Sequence, residues 1–138
     1  MEKPSTKKNL FYVPINWFES FRLALIGLYL IIKNERNFRF QLFAAFCVGL
    51  LGLFLKISHQ DWVSIGLLVA LVLITESFNS VIEALADTIS QEYRVNIKYA
   101  KDVAAGAVLI STVASVVAGG IIIGPYIWEF LEKSGIIK

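Results

Sequence analysis

Polar and apolar positions alternate in long blocks along this chain, and the blocks set the elements. From Val103 to Ile127 there is no charged residue. That run exceeds the roughly 20 apolar residues a helix needs to cross a bilayer core. Phe40–Leu55 is also uncharged, though shorter. A third run opens at Trp62 and stays apolar to Thr75. It reaches spanning length only if the helix continues through ITESFNSVIEALAD, residues 74–87. The pattern predicts three transmembrane helices.

Upstream, NWFESFRLALIGLYLIIK (16–33) has helical character, with Asn16 as N-cap and Glu19 three residues on, the spacing of a capping box. Its uncharged part, Leu23 to Ile32, is too short to span. An amphipathic helix lying in the membrane interface fits better, with Trp17 and Phe18 at headgroup depth. A polar turn is expected at KNERNFRFQ (33–41), a short link at KISHQD, and a longer link at TISQEYRVNIKYAKD (88–102). The expected division is a cytoplasmic lead-in at 1–15, a membrane domain at 16–127, and a tail at 128–138 with Trp128 as interfacial anchor. Small residues in VAAGAV and ASVVAGG permit close approach between helices. The predicted fold class is all-α and integral to the membrane.

Composition agrees: 57% of residues are hydrophobic, and mean hydropathy is +0.66. The net charge of +2 matters less than where the charges lie. Lys3, Lys7, Lys8, Arg22, Lys33, Arg36 and Arg39 precede the first span, whereas the first link offers only Lys56. Arg94, Lys98 and Lys101 lie in the second link. Positive residues stay on the cytoplasmic side, so the N-terminus and the second link are expected there. No cleaved signal peptide is expected, because no cleavage site precedes a short apolar region. The single cysteine, Cys47, can form neither an intrachain disulfide nor a zinc site by itself. His59 reads as a loop residue.

The third apolar run carries the candidate chemistry. Glu76, Asn79, Glu83 and Asp87 follow at spacings of three, four and four, which stacks them on one helix face beside Ser80. A carboxylate at membrane depth is costly unless paired or hydrated, so this face is expected to meet protein or a wet cavity. Glu35 before the first span, and Lys101 with Asp102 before the third, belong to the same side. Carboxylates converging there would favour a hard cation such as Mg²⁺, which completes its shell with phosphate and water. A neighbouring lysine would act as a point charge on a phosphate. Two other readings remain open: a polar seam that only packs helices, and an ion pathway. No P-loop or protein-kinase motif is present in the sequence.

NERNFR (34–39), ESFNSVIEALAD (76–87), EYR (92–94) and KDVAAGAV (101–108) together resemble the small prokaryotic diacylglycerol kinases, a family that includes the undecaprenol kinases of Gram-positive bacteria. The similarity runs from about Phe18 to Tyr126. It implies a homotrimer of three-span protomers with an N-terminal surface helix, in the bacterial cytoplasmic membrane. It also implies active sites on the cytoplasmic face, shared between subunits, where MgATP phosphorylates a lipid hydroxyl. By position, Glu76 is similar to the family's general base, and Glu35 and Glu83 to its metal ligands. Asn79, Asp87, Lys101 and Asp102 fall where the nucleotide and phosphates bind, and Glu92 and Tyr93 near the nucleoside. Ser80 joins Glu76 on the lipid-substrate side. The chain departs from enterobacterial members at Leu23, Arg94 and Ala105. ERNFR and KDVAAGAV lean toward undecaprenol as acceptor, with diacylglycerol as the alternative. No nucleic-acid partner is expected.

Overall fold

The computed structural model describes residues 16–89 and 94–137. The regular elements among them are four α-helices: α1 (Trp17–Asn34), α2 (Arg36–Leu55), α3 (His59–Ile89) and α4 (Val95–Lys133). The last three are long and apolar enough to cross a membrane. Each contains one of the predicted runs and outgrows it. α3 does continue through the carboxylate stretch, and α4 carries on past Trp128 into the segment expected to be a tail. The lead-in 1–15 lies outside the described residues.

α1 up to Leu30 forms one unit, and Ile31–Lys138 form the other. No residue of α1 is buried, and Trp17, Phe18 and Phe21 are exposed. At its start, the backbone N–H groups of Glu19 and Ser20 donate to the Asn16 carbonyl.

The expected polar turn at 33–41 is not a turn. Glu35 alone interrupts the helical run, in an extended conformation (φ −94°, ψ 113°). The Arg39 guanidinium reaches back across this joint and donates from Nη1 to the carbonyls of Lys33 (2.7 Å) and Ile32 (3.2 Å). These are C-terminal carbonyls of α1 that have no intrahelical donor, so a side-chain cation satisfies them. The arginine thereby allows two helices to meet with one residue between them.

The first link is equally short. Lys56 is left-handed (φ 53°), its N–H donates to the Leu53 carbonyl, and the Ile57 N–H donates to the Gly52 carbonyl. This pair of bonds is a Schellman cap, with lysine where glycine is usual. The cap turns Ile57 inward to join a buried cluster with Ile65 and Ile123, packed by Val48, Trp62 and Tyr126. Ser58 then starts α3: its hydroxyl accepts the Asp61 N–H and donates to the Asp61 carboxylate at 2.7 Å. The Tyr126 hydroxyl donates to the same carboxylate, tying α4 to the start of α3.

α3 and α4 make the principal helix contact, with α2 resting mainly on α3. Two hydroxyls pin that pair inside the apolar zone. Ser111 Oγ lies 2.7 Å from Thr75 Oγ1, and Ser115 donates to the Leu68 carbonyl at 3.2 Å. In lipid, helices gain little from burying apolar surface against each other, so packing and such hydrogen bonds carry association. The large apolar side chains exposed on α2 and α4, such as Phe43, Phe46, Ile110 and Val116, face outward from this pair.

Of the glycines in VAAGAV and ASVVAGG, Gly119 lies nearest α3: a Cβ there would be 3.9 Å from Ile65 Cδ1, whereas one at Gly106 or Gly120 would meet nothing within 4 Å. The tight position is Gly52, where a Cβ would lie 3.0 Å from the Trp62 ring and 3.1 Å from Ile57 Cδ1.

Three outcomes are expected from thermal unfolding in detergent. Gly52→Val should destabilise by about 1–3 kcal/mol, the usual cost of overpacking, whereas Gly106→Ala should not lower the midpoint of the monomer fold. Ser111→Ala should cost only about 1 kcal/mol, since Thr75 keeps its bond to the Leu71 carbonyl.

Candidate active site at the polar end of the third helix

Along α3 the polar residues pass from interior to surface. Glu76 is 2% exposed and Asn79 is 8% exposed, Glu83 is half-buried, and Asp87 is exposed. The 3.6-residue period puts them on one face, and packing against α2 and α4 covers the deeper part of that face. Ala86 continues the buried line toward the helix end.

The Glu76 carboxylate is met from α2. Gln41 Nε2 donates to Glu76 Oε2 at 3.2 Å. Arg36, Asn37, Phe40, Gln41, Glu76 and Val108 line a pocket of about 420 Å³. The polar atoms there come from the first turns of α2 and from α3, with Val108 of α4 as an apolar wall. Gln41 also borders an apolar groove of about 370 Å³ that runs along α2, α3 and α4 past Ala45, Val48, Val72, Ser115 and Gly119. Ser80, half-buried, donates its hydroxyl proton to the Glu76 backbone carbonyl at 3.1 Å.

One turn further, Asn79 Nδ2 donates to Glu83 Oε1 at 3.2 Å. Asn79 Oδ1 is buried and has no hydrogen-bond partner. Hard cations prefer oxygen ligands, so an unpartnered amide oxygen beside a carboxylate suits Mg²⁺. Among the described residues, no three His, Cys, Asp or Glu side chains gather into a metal-holding group. Glu35 and Glu83 thus belong to no group of three or more such side chains among the described residues. Mg²⁺ needs only one or two carboxylates when phosphates complete its shell, so the residues present fit it. Glu35 is half-buried at the α1–α2 joint, and its side chain makes no capping bond to α2.

Lys101 stands opposite the outer end of this face. Its Nζ donates to Asp87 Oδ1 at 2.8 Å. It precedes the uncharged run that begins at Val103, and there its ammonium is held above the ordinary lysine range. The hydrogen bond to Asp87 is the largest cause; partial desolvation opposes it, and the charges of Asp87 and Glu83 add to it. Asp102 is exposed. Glu92 and Tyr93 lie outside the described residues.

The structure thus brings Glu76, Asn79, Glu83, Asp87 and Lys101 along one continuous edge of the α3–α4 pair. The sequence reading missed Gln41. Its signal was a lone amide just inside the first apolar run, after Arg39 and Phe40, where nothing in the local pattern requires a polar residue.

Comparison with known proteins identifies the family. The profile of the prokaryotic diacylglycerol kinase family matches residues 22–123. A diacylglycerol kinase of Synechocystis sp. is 35% identical over 124 residues, covering 89% of this chain and 71% of that protein. An undecaprenol kinase of Bacillus subtilis is 36% identical over 109 residues, covering 79% of this chain and 89% of that protein. With three membrane-length helices and a family match over most of its length, the chain belongs to the prokaryotic diacylglycerol kinase family and is a membrane lipid kinase.

Proposed function

We propose that the chain transfers the γ-phosphate of ATP to the hydroxyl of a membrane lipid alcohol, with undecaprenol as the favoured acceptor. The observation that carries this reading is the burial of Glu76 beside a polar pocket at the edge of the apolar zone. A carboxylate held there can reach an alcohol that never leaves the membrane.

In this mechanism Glu76 is the general base. It takes the proton of the lipid hydroxyl while that oxygen attacks the γ-phosphorus, and the bond from the γ-phosphorus to the bridging oxygen breaks to release ADP. Glu83 and Glu35 would hold Mg²⁺, and Asn79, whose amide donates to Glu83, would offer its free Oδ1 as a further oxygen ligand. When bound, the ion neutralises phosphate charge and aligns the transferring group. Lys101, steered by Asp87, offers a second positive charge to the phosphates, and Asp102, Glu92 and Tyr93 lie toward the nucleotide. Ser80 lies next to the acceptor.

The active sites face the cytoplasm, since the basic residues crowd the N-terminal segment and the α3–α4 link. α1 lies on the membrane surface. The functional assembly is a homotrimer in the bacterial cytoplasmic membrane. The glycine faces of α4, open in one chain, give room for helices of other copies to approach.

Undecaprenol is favoured because ERNFR and KDVAAGAV lean that way and the Bacillus subtilis relative is an undecaprenol kinase. Diacylglycerol is the second reading, and the Synechocystis relative supports it.

Phosphate transfer from ATP in mixed micelles tests both. Undecaprenol should turn over faster than diacylglycerol at equal mole fraction, and the reverse result would move the protein to diacylglycerol. Chelation of divalent ions should abolish transfer, and added Mg²⁺ should restore it. Glu76→Gln should lower kcat by about 10²–10⁴-fold, the usual contribution of a general base. Parent-like activity in that variant would remove Glu76 from the role. Lys101→Met should raise the KM for ATP more than the KM for lipid.

A further inference from the structure

A buried carboxylate has two oxygens, and catalysis by a base needs one of them aimed at the substrate. In this chain α2 decides which. Gln41 Nε2 occupies Glu76 Oε2 at 3.2 Å, leaving Oε1 as the oxygen without a side-chain donor from Gln41. The amide orientation is set by chemistry: turned the other way, its carbonyl would face the carboxylate and repel it.

The cost of this contact is visible in the structure. Gln41 Oε1 is buried and has no hydrogen-bond partner. Leaving a buried acceptor unmade is unfavourable, and an apolar side chain of the same shape would avoid it. A residue kept only for packing between α2 and α3 gains nothing from an amide here. Gln41 also stands where the polar pocket meets the apolar groove, so it sits at the boundary a lipid hydroxyl must reach.

We infer that Gln41 is a positioning residue: it fixes the Glu76 carboxylate so that Oε1 faces the incoming lipid hydroxyl. The inference rests on the reading of Glu76 as general base. Gln41 acts through Glu76 and contributes no proton transfer of its own. Bases work when held within hydrogen-bond reach of the proton they remove, so loosening the carboxylate costs turnover more than binding.

The test is steady-state phosphate transfer from ATP to undecaprenol and to diacylglycerol in mixed micelles. It compares the parent with Gln41→Met, Gln41→Glu and Glu76→Gln, each checked for its thermal midpoint in detergent. Gln41→Met keeps the length and removes both polar atoms; Gln41→Glu keeps the shape and replaces the amide donor by a second carboxyl group against Glu76. Both should lower kcat at least tenfold on the better acceptor, with KM for lipid and for ATP within twofold of the parent. The midpoint of Gln41→Met should move little, because the lost donor to Glu76 Oε2 is offset by removal of the orphaned oxygen. If Gln41→Met fails to fold, Gln41→Glu carries the same comparison. A kcat within twofold of the parent in a folded variant overturns the inference, as does a rise in lipid KM with kcat unchanged. A kcat loss that tracks a falling midpoint overturns it too, since packing would then explain the effect. If Glu76→Gln is inactive while the Gln41 variants are not, the positioning role fails and the base assignment stands. If Glu76→Gln keeps parent activity, the base assignment itself fails.

Discussion

A carboxylate almost sealed from solvent, in a helix that crosses lipid, constrains everything near it. Glu76 is 2% exposed, and an ion at that depth is costly without partners. The fold answers from the neighbouring helix, with the Gln41 amide on one carboxylate oxygen. For that contact to exist, α2 must begin in register with the polar part of α3. Its packing on α3 sets the first turns of α2 there, directly after the one-residue break at Glu35. The features around the site follow from holding this single group in place.

The far end of the bundle is built differently. There the chain turns through a Schellman cap at Lys56, and the Ser58–Asp61–Tyr126 contacts close the end where α4 meets the start of α3. Between the two ends, Thr75 with Ser111 and Ser115 with the Leu68 carbonyl hold α3 to α4. Apolar burial contributes little to helix association in lipid, so a few short hydrogen bonds and the Ile57–Ile65–Ile123 cluster set the pairing. The polar end is thus free to carry unsatisfied acceptors such as Asn79 Oδ1 and Gln41 Oε1. Buried acceptors without donors are costly to stability and useful to a ligand.

The gradient along α3 joins these halves to the chemistry of a lipid kinase. Its two reactants differ in solubility: the phosphate donor is charged and the acceptor is apolar. A face that runs from exposed Asp87 and its Lys101 partner to buried Glu76 offers charged and buried groups along one helix. In the proposed mechanism the charged groups serve the phosphates and the buried one serves the hydroxyl. Helical geometry sets the distance between those tasks, at about 5.4 Å per turn.

Much of this was legible in the sequence because it is local. Uncharged runs of membrane length predict spans, and a spacing of three, four and four puts Glu76, Asn79, Glu83 and Asp87 on one face whatever surrounds the helix. Family resemblance in the same residues carried the activity class. Other features depended on what packs against each helix, which no local period encodes. The polar turn expected at 33–41 is two abutting helices, because the Arg39 side chain satisfies carbonyls that would otherwise need solvent. The glycines of α4 read as packing positions, yet Gly106 and Gly120 have open space where a Cβ would go while Gly52 is the crowded one. Gln41 carried only the signal of a lone amide in an apolar run, since an amide acquires its role from the atom it touches. The sequence by itself determined the helices, their faces and their chemistry class through short-range periodicity. Only the tertiary structure decided which atom meets Glu76, because that contact joins residues 35 apart in the chain and exists only once α2 and α3 are packed in register.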